Sequence, residues 1–144
     1  MNEKLKLENQ LCFPLYLAAK EVIRRYTPLL SPYGMTYTQY IAMMAMWEHR
    51  CLSVGELGRM LSLDSGTITP MIKKMEHNGW VRRVRSEEDE RKVMVELTDA
   101  GNKLHDEMCD VPERMGSCLT IDSKEAMELY RLLYLLLGSF NDDK

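Results

Sequence analysis

Hydrophobic residues recur every three or four positions along most of the chain, and this pattern predicts about six helices. The first helix is expected from about Gln10 to Tyr26. Its apolar stripe has residues spaced by four, three and four positions: Leu15, Ala19, Val22 and Tyr26. Pro28 and Pro32, together with Gly34, indicate that a loop follows this helix.

Two short helices joined by a tight turn are predicted in the middle of the chain. A longer and almost entirely apolar helix precedes them; it is expected to start near Thr38 as its cap and to be buried. The first short helix ends at a break over Ser62–Asp64. The second ends at Asn78-Gly79 and has three residues facing inward: Ile68, Ile72 and Met75. This pattern is typical of a helix-turn-helix motif.

The hydrophobic period then changes from helical to alternating, which predicts a β-hairpin. Val93, Val95 and Leu97 occupy alternate positions, and an acidic loop of six residues at Ser86–Arg91 precedes them. A helix-turn-helix followed by a hairpin is typical of a winged helix. The expected fold is therefore mainly α with a small β-hairpin.

The C-terminal third is predicted to form helices that associate with a second copy of the chain. Thr98 should cap one helix that continues to roughly Val111, where Pro112 interrupts it, and Asp122 with Glu125 should open the last helix. The last helix is apolar over more than half of its circumference: Leu129, Leu132, Leu133, Leu136, Leu137 and Phe140. Such a helix requires burial, and a symmetric dimer provides it most simply.

The composition is that of an ordinary globular protein, with 45% hydrophobic and 28% charged residues among 144. The N-terminal run LCFPLYLAA is split by Pro14, and Glu3 and Glu8 dilute the positive charge before it, so no signal peptide is expected. No segment approaches the length of a transmembrane helix. The four cysteines form no C-x-x-C pair, and a cytoplasmic, reducing environment is expected. No cofactor site and no set of catalytic residues stands out, so the chain is not expected to be an enzyme.

The basic residues concentrate in the predicted helix-turn-helix, although the whole chain has a net charge of −3. Between Arg59 and Arg85 there are six basic and two acidic side chains, a net charge of +4. Asp64 can cap the second short helix, whose hydroxyl and basic side chains suit base edges and phosphates in the major groove. The candidate DNA-contacting residues are Ser65, Thr67, Thr69, Lys73, Lys74, Arg82, Arg85, Asp89 and Arg91.

The predicted wing offers Arg91 beside Asp89, and an arginine at a hairpin tip can enter a narrow minor groove. Pro70 is unexpected within a helix because it removes the amide that would bond to Gly66. Either the helix kinks at Pro70, or a later helix starts there with Thr69 as its cap. Both alternatives remain open.

The order of elements and the segment LDSGTITPMIKKMEHNGWVRRVRSEEDERKVMVELTDAG resemble the MarR family of bacterial transcriptional regulators over essentially the whole chain. The opening QLCFPLYLAAKEVIRRYTPLL, with the later MTYTQY, is similar to the organic-hydroperoxide-resistance regulators (OhrR), whose sensing cysteine lies in an L-C-F-x-L-Y context. This resemblance implies a homodimeric repressor that binds a pseudo-palindromic operator in double-stranded DNA. It also implies one domain over residues 1–144, with a winged core at about 36–98 and dimerisation helices at about 8–27 and 99–141.

The same resemblance implies that Cys12 is the peroxide-sensing cysteine. Tyr26 and Tyr37 would match the tyrosines that hydrogen-bond its sulfur across the dimer, and Arg91 would match the minor-groove arginine. A sensing thiol reacts as its anion, which attacks the O–O bond of an organic hydroperoxide. If Pro14 occupies the first or second helical position, Cys12 lies at the positive end of the helix, which favours that anion.

Oxidised Cys12 is expected to become a sulfenic acid, which condenses with a second thiol. In the family it resembles, that thiol is either a low-molecular-weight cellular thiol or a second cysteine near the C-terminal helices. Cys118 lies roughly where the second cysteine would lie, so both resolving partners remain open. A link between subunits would change the separation of the recognition helices, which must match half-sites about 34 Å apart.

Three other interpretations of the signal remain open. His105 and Cys109 lie at i and i+4, and His49 and Cys51 form an H-x-C, so the protein could respond to a metal ion. The methionine-rich dimer interface could instead hold a reversibly bound aromatic ligand. In the simplest case Cys12 is a packing residue.

Overall fold

The computed structural model describes residues 1–143, which form seven α-helices and a three-stranded antiparallel sheet. The helices are α1 (Cys12–Leu30), α2 (Tyr37–His49), α3 (Val54–Leu61), α4 (Ser65–His77), α5 (Asp99–Glu107), α6 (Val111–Ser117) and α7 (Ser123–Gly138). The strands are β1 (Cys51–Ser53), β2 (Val81–Arg85) and β3 (Val93–Leu97), in the spatial order β1-β3-β2. The helix-turn-helix is α3 and α4, and the wing is the β2–β3 hairpin.

The hydrophobic core lies where α2, α3 and α4 pack against the sheet. Ile68, Ile72 and Met75 of α4 are buried there, which confirms their predicted inward orientation. Methionine also contributes to the rest of the core: Met43, Met46 and Met108 are almost completely inaccessible. This core joins α4, the recognition helix of the helix-turn-helix, to the strands of the wing.

Helix α2 begins two residues earlier than the cap at Thr38 requires, so that prediction was wrong. Thr36 is extended and accepts a hydrogen bond from the Gln39 amide at 3.2 Å, while the Gln39 side chain accepts one from the Thr36 amide at 3.0 Å. This reciprocal capping box satisfies two amides that a helix start otherwise leaves open. Thr38 lies within the first turn.

Helix α1 continues through Pro28 to Leu30, whereas the sequence predicted a loop from Pro28 onward. Pro28 removes one hydrogen bond, to the carbonyl of Arg24. Leu29 and Leu30 are nevertheless buried in the core, and their burial holds the last turn in place.

Helix α4 runs without interruption from Ser65 to His77, so the alternative of a later start at Pro70 was wrong. Asp64 caps the helix by accepting a hydrogen bond from the Thr67 amide at 2.8 Å, as predicted. A proline in a helix interior costs about 3 kcal/mol relative to alanine. Pro70 therefore lowers the stability of α4 considerably.

The predicted helix from Thr98 to Val111 is two helices. Thr98 caps α5 as expected, but α5 ends at Glu107, and α6 starts at Val111 with Pro112 in its first turn. A proline there costs no hydrogen bond, because the first amides of a helix have no intrahelical partner. Pro112 thus starts a helix instead of interrupting one.

Strand β1 was not predicted. It has only three residues, too few for an alternating pattern to be visible, and it pairs with the far side of β3 through Leu52 and Val95. It forms one edge of the sheet and connects α2 to α3 along the chain.

Helix α7 has no buried residue within the chain, and the outer side of α1 is also uncovered. Large apolar side chains exposed on α7 include Met127, Leu129, Leu132, Leu135, Leu136 and Leu137. Apolar surface of this extent is typical of an interface with another molecule.

None of the helices in residues 1–143 combines the length and the apolarity needed to cross a membrane.

Candidate functional site

Cys12 is exposed and is the first residue of α1. The preceding Leu11 supplies no side-chain hydrogen bond to the open amides of the helix start. Pro14 occupies the third helical position, where a missing amide leaves no broken hydrogen bond. Pro14 is therefore compatible with a regular helix start, and the positive end of the α1 dipole lies at Cys12 and can stabilise a negative charge there.

Tyr26 and Tyr37 lie side by side, with ring centroids 4.8 Å apart. Tyr40, which the sequence did not single out, joins them at 5.6 Å from Tyr26. Burial raises the pKa of Tyr26, with a smaller contribution from Tyr37, and burial raises the pKa of Tyr40 to about 12. The hydroxyls of Tyr26 and Tyr40 therefore stay protonated at neutral pH and remain hydrogen-bond donors.

The structure does not bring Cys12 to these tyrosines within one chain. Cys12 and Tyr26 are fourteen positions apart on the same helix, α1, which corresponds to about 21 Å at 1.5 Å per residue. Beside the tyrosines lies a hollow of about 260 Å³, lined partly by Ile23, Leu30 and Met35. That hollow is open and could receive a side chain from outside the chain.

The other three cysteines, Cys51, Cys109 and Cys118, are also free and exposed. Cys118 directly follows α6 and donates a weak hydrogen bond from its Sγ to the Arg114 carbonyl at 3.4 Å. Burial, followed by the charges of Glu96 and Glu56, raises the pKa of Cys51. Cys118 is thus accessible as a thiol partner, whereas the raised pKa of Cys51 disfavours its thiolate.

The residues proposed for a metal-ion signal are dispersed. The His105 ring stands edge-on to Trp47, with centroids 5.6 Å apart, and its Nδ1 is 3.1 Å from Asp106. Across the side chains of residues 1–141 no three of the types His, Cys, Asp and Glu converge to hold a metal ion.

The predicted base-contacting residues of α4 lie on or next to its outer side. Ser65, Thr67, Lys73 and Lys74 are exposed, and Thr69 is half-buried beside the wing. Among the described side chains of residues 1–141, none forms an ion pair with Lys73 or Lys74. Their charges are available to phosphates.

Three wing arginines bond to other groups of the protein, so fewer of the wing's positive charges are unpaired than the sequence suggested. Arg82 pairs with Glu96 across the strands at 3.1 Å, and Arg83 pairs with Glu76 of α4 at 3.0 Å. Arg85 donates to the Glu90 carbonyl at 2.8 Å. The Arg83–Glu76 pair links the wing to the recognition helix.

Arg91 lies at the end of the wing with its side chain 91% exposed. Asp89 accepts hydrogen bonds from the Arg91 amide at 3.0 Å and from its Nε at 3.2 Å. These hydrogen bonds lower the pKa of Asp89. Asp89 therefore stays ionised and orients Arg91, while most of the guanidinium remains free.

A basic cleft of about 370 Å³ separates the wing from α3 and α4. Arg59, Arg83, Arg91 and Lys92 line it together with Thr69. Arg59 and Lys92 were not among the candidate residues. Arg59 belongs to the basic stretch of sequence, but only the packing of α3 against α4 brings it to the wing.

Together these features define a winged-helix protein with a basic recognition surface and an exposed cysteine at the start of its first helix. Residues 24–108 match the family model described as transcriptional regulator SarA/Rot. The chain is 45% identical over 142 residues to the organic hydroperoxide resistance transcriptional regulator of Bacillus subtilis (strain 168), covering 96% of this chain and 95% of that protein.

Solved structures of related regulators have the same fold. Reduced AbfR bound to DNA superposes with a TM-score of 0.84 at 32% identity, covering 98% of this chain and 96% of AbfR; AbfR is a Staphylococcus epidermidis protein. A mutant of Escherichia coli MarR complexed with operator DNA gives a TM-score of 0.78 at 26% identity, covering 88% of this chain and 93% of MarR. The chain belongs to the MarR family of transcriptional regulators, in the group of organic-hydroperoxide-resistance regulators. The family and the winged-helix fold expected from the sequence are confirmed.

Proposed function

We propose that this regulator is a homodimeric repressor that binds operator DNA in its reduced form and releases it when an organic hydroperoxide oxidises Cys12. The observation that carries the proposal is that one chain does not bring its own Cys12 and its own sensor tyrosines together. An exposed Cys12 lies about 21 Å along α1 from the paired Tyr26 and Tyr37, so a second subunit must complete the site.

A second copy of the chain also accounts for the uncovered apolar surface. Leu135 and Leu137 of α7 are 67% and 54% exposed, and Leu15 and Ile23 of α1 are 39% and 48% exposed. A two-fold interface buries the same patch of both subunits. In this dimer the start of α1 in one subunit reaches the tyrosine hollow of the other.

The DNA-binding surface consists of α4 and the wing. With α4 in the major groove, Ser65, Thr67 and Thr69 face base edges, and Lys73 and Lys74 contact phosphates. Arg82 lies near the base of the wing and Arg85 at its loop end, and Arg91, oriented by Asp89, enters the minor groove. A DNA partner implies that the protein acts in the cytoplasm, and we assign it a regulatory role and no catalytic turnover.

The oxidation consumes one hydroperoxide for each cysteine. The Cys12 thiolate attacks the terminal oxygen of the hydroperoxide, the O–O bond breaks, and the alkoxide leaves as an alcohol after taking up a proton. Cys12 becomes a sulfenic acid, in which tyrosine hydroxyls of the partner hydrogen-bond the sulfur group. A second thiol then displaces water to form a disulfide. Cys118 is exposed and serves as that thiol, or a low-molecular-weight thiol replaces it.

Peptide mapping after treatment with cumene hydroperoxide tests this chemistry, with hydrogen peroxide in parallel. We expect rapid modification of Cys12, ending in a Cys12–Cys118 bridge between subunits or in a mixed disulfide with added cysteine. The Cys12→Ser and Cys118→Ser variants are the matched controls, because the second should divert the product to the mixed disulfide. An inert Cys12 would contradict the sensor and leave a regulator with a different signal.

A further inference from the structure

The two residue types that stabilise helices least lie one turn apart on the recognition helix. Gly66 and Pro70 occupy positions i and i+4 of α4, so they lie on the same side of it. Both residues are exposed. Helix stability does not explain this choice, because alanine would be better at either position.

This side of α4 points directly away from the protein core. The inner side is defined by the buried residues Ile68, Ile72 and Met75. At about 100° per residue, Pro70 lies within about 15° of the direction opposite to their mean. Thr67, Lys73 and Lys74 surround it on the outer surface.

Packing does not require either residue. A Cβ atom at Gly66 would meet only the Asp64 carboxylate, at an ordinary contact distance of 3.5 Å. Pro70 is exposed and lies outside the core cluster. The lack of a side chain at Gly66 and the smooth ring at Pro70 therefore matter to a molecule that approaches from outside.

We propose that Gly66 and Pro70 form an apolar contact that reads the 5-methyl group of a thymine at one position in each operator half-site. This inference rests on the proposed DNA-binding function. A proline ring has neither a charge nor an N–H, so it cannot contribute a hydrogen bond to phosphate oxygens. In the major groove the apolar group that distinguishes one base pair from the others is the thymine methyl. Gly66 allows the DNA to approach closely, and the flanking Lys73 and Lys74 hold the backbone.

The test uses the reduced full-length protein and short duplexes selected by it from a random-sequence pool. In the selected duplex, each thymine is replaced in turn by uracil, which removes only the methyl group. We expect one position per half-site at which the replacement weakens binding by about fourfold, the effect of one buried methyl-sized group. Replacements at other positions should have little effect.

Pro70→Ala should abolish this dependence on the methyl group, so that thymine and uracil duplexes bind alike. Gly66→Ala should weaken binding to the selected duplex, because its added methyl separates the helix from the DNA. Neither variant should be less stable in urea than the original protein, since both favour the helix. Lys74→Ala is the matched control: it should weaken binding to all duplexes and keep the dependence on the thymine methyl.

An original protein that binds every uracil duplex as tightly as the thymine duplex would overturn the inference, and so would a Pro70→Ala variant that keeps the dependence. Both results leave DNA binding itself intact. If the pool yields no preferred duplex, the proposed function fails, and the inference fails with it.

Discussion

Cys12 and Cys51 are both exposed cysteines, but their surroundings prepare them for different chemistry. Cys12 starts a helix, where the positive end of the dipole favours a negative charge. Cys51 starts a strand, where partial burial of its thiol, followed by the charges of Glu96 and Glu56, raises its pKa. A raised pKa means less thiolate at any given pH, so Cys51 should react slowly with electrophiles.

We predict that iodoacetamide labels Cys51 more slowly than Cys12 at pH 8, as measured by peptide mass spectrometry over time. Glu96→Gln removes one of the negative charges that raise the Cys51 pKa, and it should accelerate labelling of Cys51 without changing that of Cys12. Equal labelling of Cys51 before and after this substitution would contradict the electrostatic explanation.

Single residues were predictable where a motif or a periodicity marked them. Asp64 caps α4, as the sequence indicated. Tyr26 and Tyr37, which the family resemblance singled out, are adjacent in space. Tyr40 and Arg59 were missed because their relevance comes from helix packing: α1 against α2 for the tyrosine, and α3 against α4 for the arginine. Linear spacing does not reveal such neighbours.

At the scale of elements, the wing is joined to the recognition helix by Glu76. Its carboxylate accepts hydrogen bonds from the Arg83 amide at 2.9 Å and from the Arg83 guanidinium at 3.0 Å. The amide hydrogen bond, followed by the guanidinium hydrogen bond, lowers the pKa of Glu76. The link therefore exists above the pKa that Glu76 has in the unfolded chain, and it is lost as the pH falls through the lower folded value.

We predict that Glu76→Gln lowers the free energy of unfolding at pH 7 and that the difference from the original protein disappears in acid. Urea unfolding between neutral and acidic pH measures this difference. A gap that stays constant as the pH falls would show that the ionised Glu76–Arg83 pair does not stabilise the wing.

Helix α5 is fixed to the winged core by a close contact at Gly101. Trp47 donates a hydrogen bond from its Nε1 to the Gly101 carbonyl at 2.9 Å, and the Thr98 amide bonds to the Trp80 carbonyl at 3.2 Å. A Cβ atom at Gly101 would collide with the Trp80 carbonyl oxygen and approach Leu97 to 2.9 Å. Only a glycine permits this approach.

Gly101→Ala should therefore destabilise the protein by about 3 kcal/mol, at the upper end of the range for overpacking. Gly116→Ala in α6 is the control, because no atom lies within 4 Å of its Cβ position. It should stabilise the protein by about 0.5–1 kcal/mol. Urea unfolding compares the two variants, and a Gly101→Ala variant as stable as Gly116→Ala would refute the close-contact argument.

Elements with strong periodicity were predicted well, whereas short ones were not. The inward residues of α4 and the β2–β3 hairpin follow from their spacing. Strand β1 is only three residues long, and the division between α5 and α6 depends on the burial of Met108 and Val111. Tertiary packing decides such boundaries, because local propensities on either side are similar.

At the scale of the whole molecule, the exposed α7 agrees with the sequence prediction of an apolar helix that needs a partner. The proposed dimer makes each sensor from two subunits, Cys12 from one and the tyrosines from the other. This arrangement can be tested with a heterodimer whose two subunits carry different substitutions. A heterodimer of a Cys12→Ser subunit and a Tyr26→Phe/Tyr37→Phe subunit has one site with both defects and one site with none.

We predict that the single Cys12 of this purified heterodimer is oxidised by cumene hydroperoxide at the rate of the original protein. The homodimer with both tyrosine substitutions should react more slowly. A heterodimer that reacts as slowly as that homodimer would show that the tyrosines act within their own chain. Peptide mapping measures this rate, because the peptide that contains Cys12 comes only from the subunit with the two tyrosine substitutions.

The most direct measurement of the central claim follows the release of DNA during oxidation. Fluorescence anisotropy of a labelled operator duplex, bound by the reduced protein, is recorded as cumene hydroperoxide is added. The account predicts that the anisotropy falls to the value of free DNA with the original protein, that a reductant restores it, and that Cys12→Ser keeps the DNA bound. Release from Cys12→Ser at the same peroxide concentration, or full retention by the oxidised original protein, would contradict a redox switch at Cys12.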